Sequence, residues 1–361
     1  MNGSLYFRIV LAILVIFSSC IDQIDFDVAS VTTDSVVVEG RVIKGDPSFV
    51  EVAVSRLFDF SAESRLPIAL KSVVLSDTNG NTMELETRSP GYYKVFLNDD
   101  TLIKAEVGTG YSIILELLDG RLYESEVEVL ISTPDPLQLN VEIEEELIIN
   151  EVGQVNSVEK VALTIDTNLD SETNNGLLWE VMNIFKITDS PIDDGIEMKT
   201  CYLTQNANVN NIHVLDPELL SSTVVERFPL TQALIGFRFS QGLFYEVRQY
   251  GLSQGAFAFW NRIDLLSERE GTMFDGPVGL VPTNLKNVND PDDVVFGFFF
   301  ASEEKLLRIR VPQELVGNLD PHCPPSGPPR AGPGGSCLWG VCCDCLSYPN
   351  STTEVPAFWF D

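Results

Sequence analysis

Seven cysteines are the residues in this 361-residue sequence best suited to covalent chemistry, and the first of them ends a distinctive N-terminal segment. The segment reads MNGSLYFRIVLAILVIFSSC: Arg8 supplies a positive charge, residues 9–17 are apolar, and two small serines precede Cys20. Because a bilayer span needs about 20 apolar residues, this short run predicts a cleaved signal peptide over residues 1–19. We expect Cys20 to carry anchoring acyl chains such as palmitate, followed by a tether over residues 20–35.

The other six cysteines are an even set, and five of them lie close together near the C-terminus. They are Cys201, Cys323, Cys337, Cys342, Cys343 and Cys345. An exported chain folds in an oxidising compartment, so an even set predicts disulfides. Adjacent Cys342 and Cys343 are poorly placed to bridge each other and are expected to reach different partners. The sequence does not select among the connectivities.

A zinc site is the alternative use of this segment, since thiolates and imidazoles are zinc ligands. The candidate ligands are His322, Cys323, Cys342 and Cys345. Their irregular spacing fits zinc motifs poorly. Disulfides are therefore the favoured prediction, and no metal or other cofactor is expected.

A short motif around Ser253 matches the pattern of a serine nucleophile. Residues 251–255 read Gly-Leu-Ser-Gln-Gly between an apparent strand and a helix, as in a nucleophile elbow. An aspartate within residues 290–293, followed by His322, would complete the chain order of a triad. The elbow needs a mostly parallel sheet with repeated strand–helix units, and only one strong helix is predicted here. Ser253 is therefore expected to cap that helix, no catalytic residue is predicted, and a serine hydrolase is the lesser alternative.

Two other polar patterns are weaker. Asp166, Asn168 and Asp170 imitate the start of a calcium loop, but the glycine and glutamate that an EF-hand requires further on are absent. His213 has no visible partner in the sequence and is expected to be structural. The sequence contains no P-loop and no dinucleotide-binding fingerprint.

The elements that must position these residues are predicted to be mainly β. Residues 36–133 alternate apolar and polar positions and contain Asn-Gly and Asp-Gly turns, which predicts a β-sandwich. Two prolines within residues 133–137 indicate a domain boundary. Residues 134–361 are predicted to form a second β-rich domain, with one helix near 253–269 and a disulfide-rich tail over 320–348.

The predicted helix has one apolar face. It is formed by Ala256, Phe259, Trp260, Ile263 and Leu266. Three aromatic side chains in this region, those of Tyr250, Phe257 and Trp260, could stack on a ligand. Helical spacing makes core packing the favoured interpretation.

The charge of the chain excludes some classes of partner. The sequence has 23 basic and 53 acidic residues, for a formal net charge of -30 at pH 7. Phosphates would be repelled by such a surface, so nucleic acids and anionic headgroups are disfavoured as partners. Contact with a membrane is expected only through the lipid on Cys20.

Several segments resemble a known family. They are SQGAFAFWNRIDLL, GPVGLVPTNLKNVNDPDDVVFGFFFAS and CCDCLSYPNSTTEVPAFW, and the opening VVVEGRV also fits. They resemble Bacteroidota outer-membrane lipoproteins of unknown function that are found beside TonB-dependent, SusC-like receptors. The resemblance covers nearly the whole mature chain. The chain departs from it at TNLKNVND, where the family tends to Gly-Asn, and at Ala357, where an acidic residue is usual.

This resemblance implies a lipid-anchored outer-membrane protein, facing the cell surface or the periplasm, with an N-terminal Ig-like or carboxypeptidase-regulatory-like domain. It implies a non-catalytic binding or accessory module that works beside a barrel receptor in nutrient uptake. An adhesion or envelope-assembly factor is the alternative. Proteins of this phylum also carry O-glycans on Asp-Ser/Thr-aliphatic sites, which implies Ser35 and Thr101 as candidate acceptors.

Overall fold

The computed structural model describes most of the chain after the predicted tether. The described residues are 35–57, 66–150, 152–169, 176–190, 197–207, 212–217, 220, 222–267, 281–323 and 340–360. The predicted signal peptide, Cys20, most of the tether and Cys337 lie outside them. No helix in this described part is long and apolar enough to cross a membrane.

Nine strands precede residue 133. They are β1 (Val36–Lys44), β2 (Ser48–Arg56), β3 (Leu70–Asp77), β4 (Thr82–Glu84), β5 (Thr87–Ser89), β6 (Tyr92–Leu97), β7 (Gly110–Leu117), β8 (Leu122–Ser125) and β9 (Glu128–Val129). Two hairpins turn where Asn-Gly and Asp-Gly predict them, with Gly80 at φ 88° and Gly120 at φ 92°. Glycine enters this left-handed region without the steric cost that a Cβ atom imposes.

The remaining strands and the helices follow residue 134. The strands are β10 (Pro136–Ile149), β11 (Val155–Asn168), β12 (Leu177–Thr188), β13 (Thr200–Asn206), β14 (His213–Leu215), β15 (Val224–Leu234), β16 (Leu243–Gly251), β17 (Leu285–Asn287), β18 (Val295–Arg310) and β19 (Ser351–Thr352). The α-helices are α1 (Gln254–Ser267), α2 (Gln313–Val316) and α3 (Gly340–Cys343), and the 3₁₀ turns are Phe237–Phe239, Cys345–Ser347 and Ala357–Phe360. The prediction of a mainly β chain with one main helix and a disulfide-bearing C-terminal region is confirmed.

A ten-stranded central sheet organises the molecule. Its order is β19-β13-β12-β16-β18-β1-β2-β6-β5, and β14 also pairs with β12. β1 and β18 are parallel, with Val36 opposite Val295, so a late strand lies beside the first strand of the chain. The short strand β17 likewise pairs with β8. The sheets therefore run across the boundary predicted after residue 133, because the edge of β1 is completed by a strand from the second half of the sequence.

Two smaller sheets build two separate cores with the central sheet. A six-stranded sheet contains β17, β8, β7, β3, β4 and β9, and a three-stranded sheet has the order β10-β11-β15. The first core joins Val38 and Val52 of the central sheet to Ile113 of β7. The second core joins Phe185 and Tyr245 to Val161 and Ile165 of β11 and also contains four cysteines. In both cores, alternate residues of each central strand point inward, which leaves the intervening residues on the other face.

The helix α1 packs on that other face of the central sheet. It begins one residue after Ser253, whose hydroxyl accepts a hydrogen bond from the Ala256 N–H at 3.2 Å, so the predicted cap is confirmed. The predicted apolar side packs as expected: Ala256 and Phe259 are buried, and Trp260 is half-buried. The helix thus covers one end of a sheet face that is otherwise open.

Candidate functional site

The open face of the central sheet carries charged and aromatic side chains on neighbouring strands. On β1 these are Glu39 and Arg41, whose parallel neighbours on β18 are Phe298 and Phe300. On the opposite side, Arg41 faces Glu51 of β2 across an antiparallel pair. Because directly paired residues point to the same face, pairing alone brings this mixed set together.

Aromatic packing fixes the helix above this face. The Phe259 ring lies 5.3 Å from the Phe298 ring, and the Trp260 ring lies 6.4 Å from the Phe300 ring, edge to face. The Phe259 and Phe298 rings are tilted by 31° to each other, and aromatic contacts such as these two favour particular relative orientations of the rings. The helix therefore forms a rigid wall above the strands.

A cleft of about 530 Å³ lies between this wall and the charged strands. Its apolar side includes Phe259, Trp260 and Phe300, and its polar side includes Arg41 and Glu180. Small-molecule sites commonly combine aromatic walls with a few fixed polar groups in a volume of about 300–1,000 Å³. The cleft has this character.

Arg41 lies at the centre of a network that crosses the cleft floor. Its Nε donates to Glu51 Oε1 at 2.7 Å, and its Nη1 donates to Glu180 Oε1, also at 2.7 Å. Glu51 Oε2 in turn accepts from the Tyr92 hydroxyl at 2.7 Å and from Lys94 Nζ at 2.9 Å. Both oxygens of Glu51 are therefore occupied by donors from two neighbouring strands, β1 and β6.

The network continues toward the far edge of the sheet. The buried Tyr250 hydroxyl lies 3.1 Å from carboxylate oxygens of both Glu180 and Glu304. Glu246, further along, accepts from Arg248 at 2.8 Å and from Arg308 at 2.7 Å. Acidic and basic side chains alternate along this line, so each charge has an opposite neighbour.

Burial and pairing shift the pKa values of these groups strongly. Although partial burial alone would raise the pKa of Glu51, the Arg41 charge and the Tyr92 and Lys94 hydrogen bonds lower it to about 2. Burial opposes the charge of Arg41, yet Glu180, Tyr250 and Glu51 raise its pKa well above the usual value. Both groups stay ionised at neutral pH, and the floor of the cleft is electrostatically fixed.

His213 lies in the cleft wall, where the sequence predicts only a structural role. Burial lowers its pKa, so the imidazole is neutral at pH 7. The lining then has three glutamates, Glu39, Glu51 and Glu180, against one arginine. An anionic ligand would meet net repulsion in this cleft.

The three aromatic residues that are candidates for ligand stacking from the sequence divide into two groups. Tyr250 is fully buried, and Phe257 packs against the core beside α1, in agreement with the favoured interpretation. Trp260 packs against the same core and also lines the cleft. Of the three, only Trp260 lies where it can contact a bound molecule.

Ser253 lies outside the cleft lining and has a carboxylate as its partner. Its hydroxyl donates to Glu128 Oε2 at 2.8 Å, while Asn284 Nδ2 approaches Glu128 Oε1 at 3.3 Å. Burial raises the pKa of Glu128 despite these hydrogen bonds. His322 stacks instead on Phe237, with ring centroids 4.3 Å apart. The histidine that the hydrolase alternative requires, His322, therefore packs in another part of the fold.

The aspartates of the same alternative have structural partners. Asp293 accepts from the Tyr123 hydroxyl at 2.6 Å and from Asn287 Nδ2 at 2.7 Å. Asp290 accepts from the Asp292 N–H within the same loop. These contacts fix the loop before β18.

Two disulfides close the C-terminal region. Cys201 bridges Cys345, and Cys323 bridges Cys342. Cys343 is also disulfide-bonded, so the adjacent pair does reach different partners. Three of the four candidate zinc ligands are consumed by these bridges, and the zinc alternative is wrong because a bridged sulfur is not a thiolate. The described residues contain no other cluster suited to a metal ion.

The remaining candidate residues lie in hydrogen-bonded turns and strands. Asp166 accepts from the Arg227 N–H at 2.7 Å and from Gln138 at 2.7 Å, while Asp170 lies outside the described residues. The Thr101 hydroxyl donates within its own turn, and Ser35 is buried at the start of β1. Glycosylation at Ser35 and Thr101 stays a prediction.

Sequence reasoning missed the charged residues that form the cleft floor. Arg41, Glu51 and Glu180 each have uncharged neighbours on both sides in the strands VVVEGRVIK, SFVEVAVSR and LLWEVMNIFKIT. A charged residue at an alternate position of a strand predicts a solvent-exposed side chain. Only the order of the strands in the sheet shows that these three side chains meet.

Comparison with known proteins identifies the family. The model of a domain of unknown function, DUF4249, matches residues 21–308, which include the cleft, α1 and most of the central sheet. No curated protein matches the chain. The match spans well over half of the sequence, and the chain belongs to the DUF4249 family.

Proposed function

We propose that this protein is a non-catalytic ligand-binding module of a bacterial cell envelope, and that the cleft between α1 and the central sheet holds the ligand. The observation that carries the proposal is the fixed floor of the cleft, where Arg41 joins Glu51 and Glu180 beside the Trp260 wall. A network already ordered without ligand loses little entropy on binding. The net negative lining favours a neutral or cationic ligand.

Retained ligand is the direct test of the cleft. The full chain, purified without denaturant from the cells that make it, is examined by native mass spectrometry. We expect a bound small molecule on the wild type, its loss in Trp260→Ala, and its retention in Phe96→Ala. Phe96 is a matched control because it is exposed on the same sheet face but is not part of the cleft lining. A ligand that survives Trp260→Ala would contradict the proposed site.

The proposal includes a lipid anchor at Cys20 on the outer membrane. It is supported by the short apolar N-terminal segment that ends in Ser-Ser-Cys. We expect Cys20→Ala to move the protein into the soluble fraction, whereas Cys20→Ala protein that stays in membranes after a carbonate wash would contradict the anchor.

The partner proposed for this module is a TonB-dependent barrel receptor, as the resemblance of the sequence to Bacteroidota lipoproteins implies. Tagged wild-type protein is purified from detergent-solubilised outer membranes and its associates are identified. A barrel receptor recovered in stoichiometric amount would support an accessory role in uptake. If none is recovered and protease added to intact cells leaves the chain uncut, an envelope-assembly role would replace it.

A further inference from the structure

The long hairpin formed by β10 and β11 extends beyond the sheet to which it belongs. β15 pairs with β11 only from Lys160 onward, whereas β10 and β11 stay paired up to Ile149 and Val155. We call residues 145–149 and 155–159 the hairpin arm. The arm is a two-stranded ribbon, and no other described strand pairs along it.

One side of the hairpin arm is apolar and exposed. Leu147, Ile149 and Val155 lie on this side and are 71%, 73% and 61% exposed. The same side of the hairpin reaches the core further down, where Val161 is fully buried. The row of apolar residues that packs in the core therefore continues along the hairpin beyond the rest of the protein. No described residue covers this outer part.

The base of this apolar side carries a pair of like charges. Glu145 lies directly opposite Glu159 in the antiparallel register. Ser157 gives Glu145 a single long hydrogen bond of 3.4 Å, and no ion pair to either glutamate is present among the described residues. Like charges directly opposite each other destabilise a pair of strands.

The opposite side of the same hairpin is matched in charge. Glu142 pairs with Arg227 at 2.6 Å, Glu144 accepts from Gln232 at 2.6 Å, and Glu146 pairs with Lys160. The glutamates of β10 on this side therefore have partners, whereas Glu145, on the side with the apolar tip, has no cation among the described residues.

We propose that the apolar side of the hairpin arm docks into an apolar groove of a different protein, with a lysine or arginine of that protein between Glu145 and Glu159. Charge complementarity selects this occupant. A bilayer is disfavoured because the two carboxylates stand beside the apolar tip and would have to enter the headgroup region or the hydrocarbon with it. A second copy is disfavoured because two arms would bring four carboxylates together. The inference does not depend on the cleft or its ligand.

Photo-cross-linking tests this docking in intact cells. A photoreactive amino acid replaces Val155 in the full chain, and cross-linked peptides are identified by mass spectrometry. We expect cross-links to another protein next to a lysine or arginine. Glu145→Lys or Glu159→Lys should lower their yield by about tenfold or more, since the charge reversal repels that residue.

Glu144→Lys is the matched control, because it makes the same charge change on the opposite side of the strand. It should leave the cross-link yield unchanged, and urea unfolding should show that all three variants are folded. Cross-links to lipid alone, cross-links to a second copy alone, or no cross-links at all would overturn the proposal. Equal loss of yield in Glu144→Lys and Glu145→Lys would also overturn it.

Discussion

The glutamates of the cleft and those of the hairpin arm experience opposite electrostatic environments within one acidic chain. In the cleft, Glu51 accepts hydrogen bonds from Arg41, Tyr92 and Lys94. In the arm, Glu145 faces Glu159, and no described residue forms an ion pair with it. A satisfied charge contributes to the stability of the isolated chain, whereas an unsatisfied one is stabilised only by a partner. The charges of the cleft are thus matched within the chain itself, whereas on our proposal those of the arm are matched only by a partner.

Removal of the central cation should show the largest effect. Arg41→Ala leaves Glu51, whose side chain is only 15% exposed, without its main counter-charge. We expect a loss of about 3 kcal/mol in the free energy of unfolding, as is typical when one partner of a buried pair is removed. Urea denaturation measures it. Arg227→Ala, which removes the exposed partner of Glu142, should leave stability unchanged, and an equal loss in both variants would erase the contrast.

Acid should weaken the floor of the cleft by protonating Glu51. The pKa of Glu51 is lowered from 4.5 in the unfolded chain to about 2 in the folded protein, because Arg41 outweighs the cost of burial. The stability from this pairing is therefore fully present above about pH 4.5 and is lost as the pH falls toward 2. Unfolding free energies measured across this range should fall less steeply in Glu51→Gln. Parallel slopes for the two proteins would contradict the assignment.

The helix wall should depend on its cap. Ser253→Ala removes the acceptor for the Ala256 N–H and leaves Glu128 without its shortest hydrogen bond. We expect a loss of about 1 kcal/mol, the usual cost of removing such a cap, with ligand retention lowered but not abolished. Ser253→Asp, a good capping residue, would retain the cap but bring a second carboxylate to Glu128. Ser253→Asn is therefore the better rescue, and its failure to restore stability would count against a capping role.

The smallest effect should have the opposite sign. Glu145→Lys turns a like-charge cross-strand pair into an attractive one, so the isolated chain should gain about 0.5 kcal/mol. Thermal or urea unfolding of purified protein measures this gain. Glu144→Lys should show no gain, because Glu144 already accepts from Gln232. A destabilised Glu145→Lys variant would mean that the arm is already complete without a partner.

Local sequence patterns determined much of the fold. Alternating apolar residues predicted strands β1 and β2, Asn79-Gly80 and Asp119-Gly120 predicted two tight turns, and Ser253 predicted the start of α1. These features depend on neighbours a few residues apart, so a short window of sequence contains their physical cause. The even number of cysteines likewise predicted disulfides. It did not predict that Cys201 bridges Cys345 across 144 residues.

Only the tertiary structure decided which charges would be satisfied. Arg41 and Glu180 are 139 positions apart in the sequence. They meet because the strand order places β1 and β12 in one sheet with only β18 and β16 between them, a gap that the two side chains span. Glu51 and Glu145 are both strand glutamates, and the sequence around each shows nothing of the residues that lie opposite it. Strand order places one beside a guanidinium and the other opposite a second carboxylate. The electrostatic energy of a charge depends on neighbours within a few ångströms in space, and in a sheet with distant strand pairing those neighbours are not neighbours in the chain.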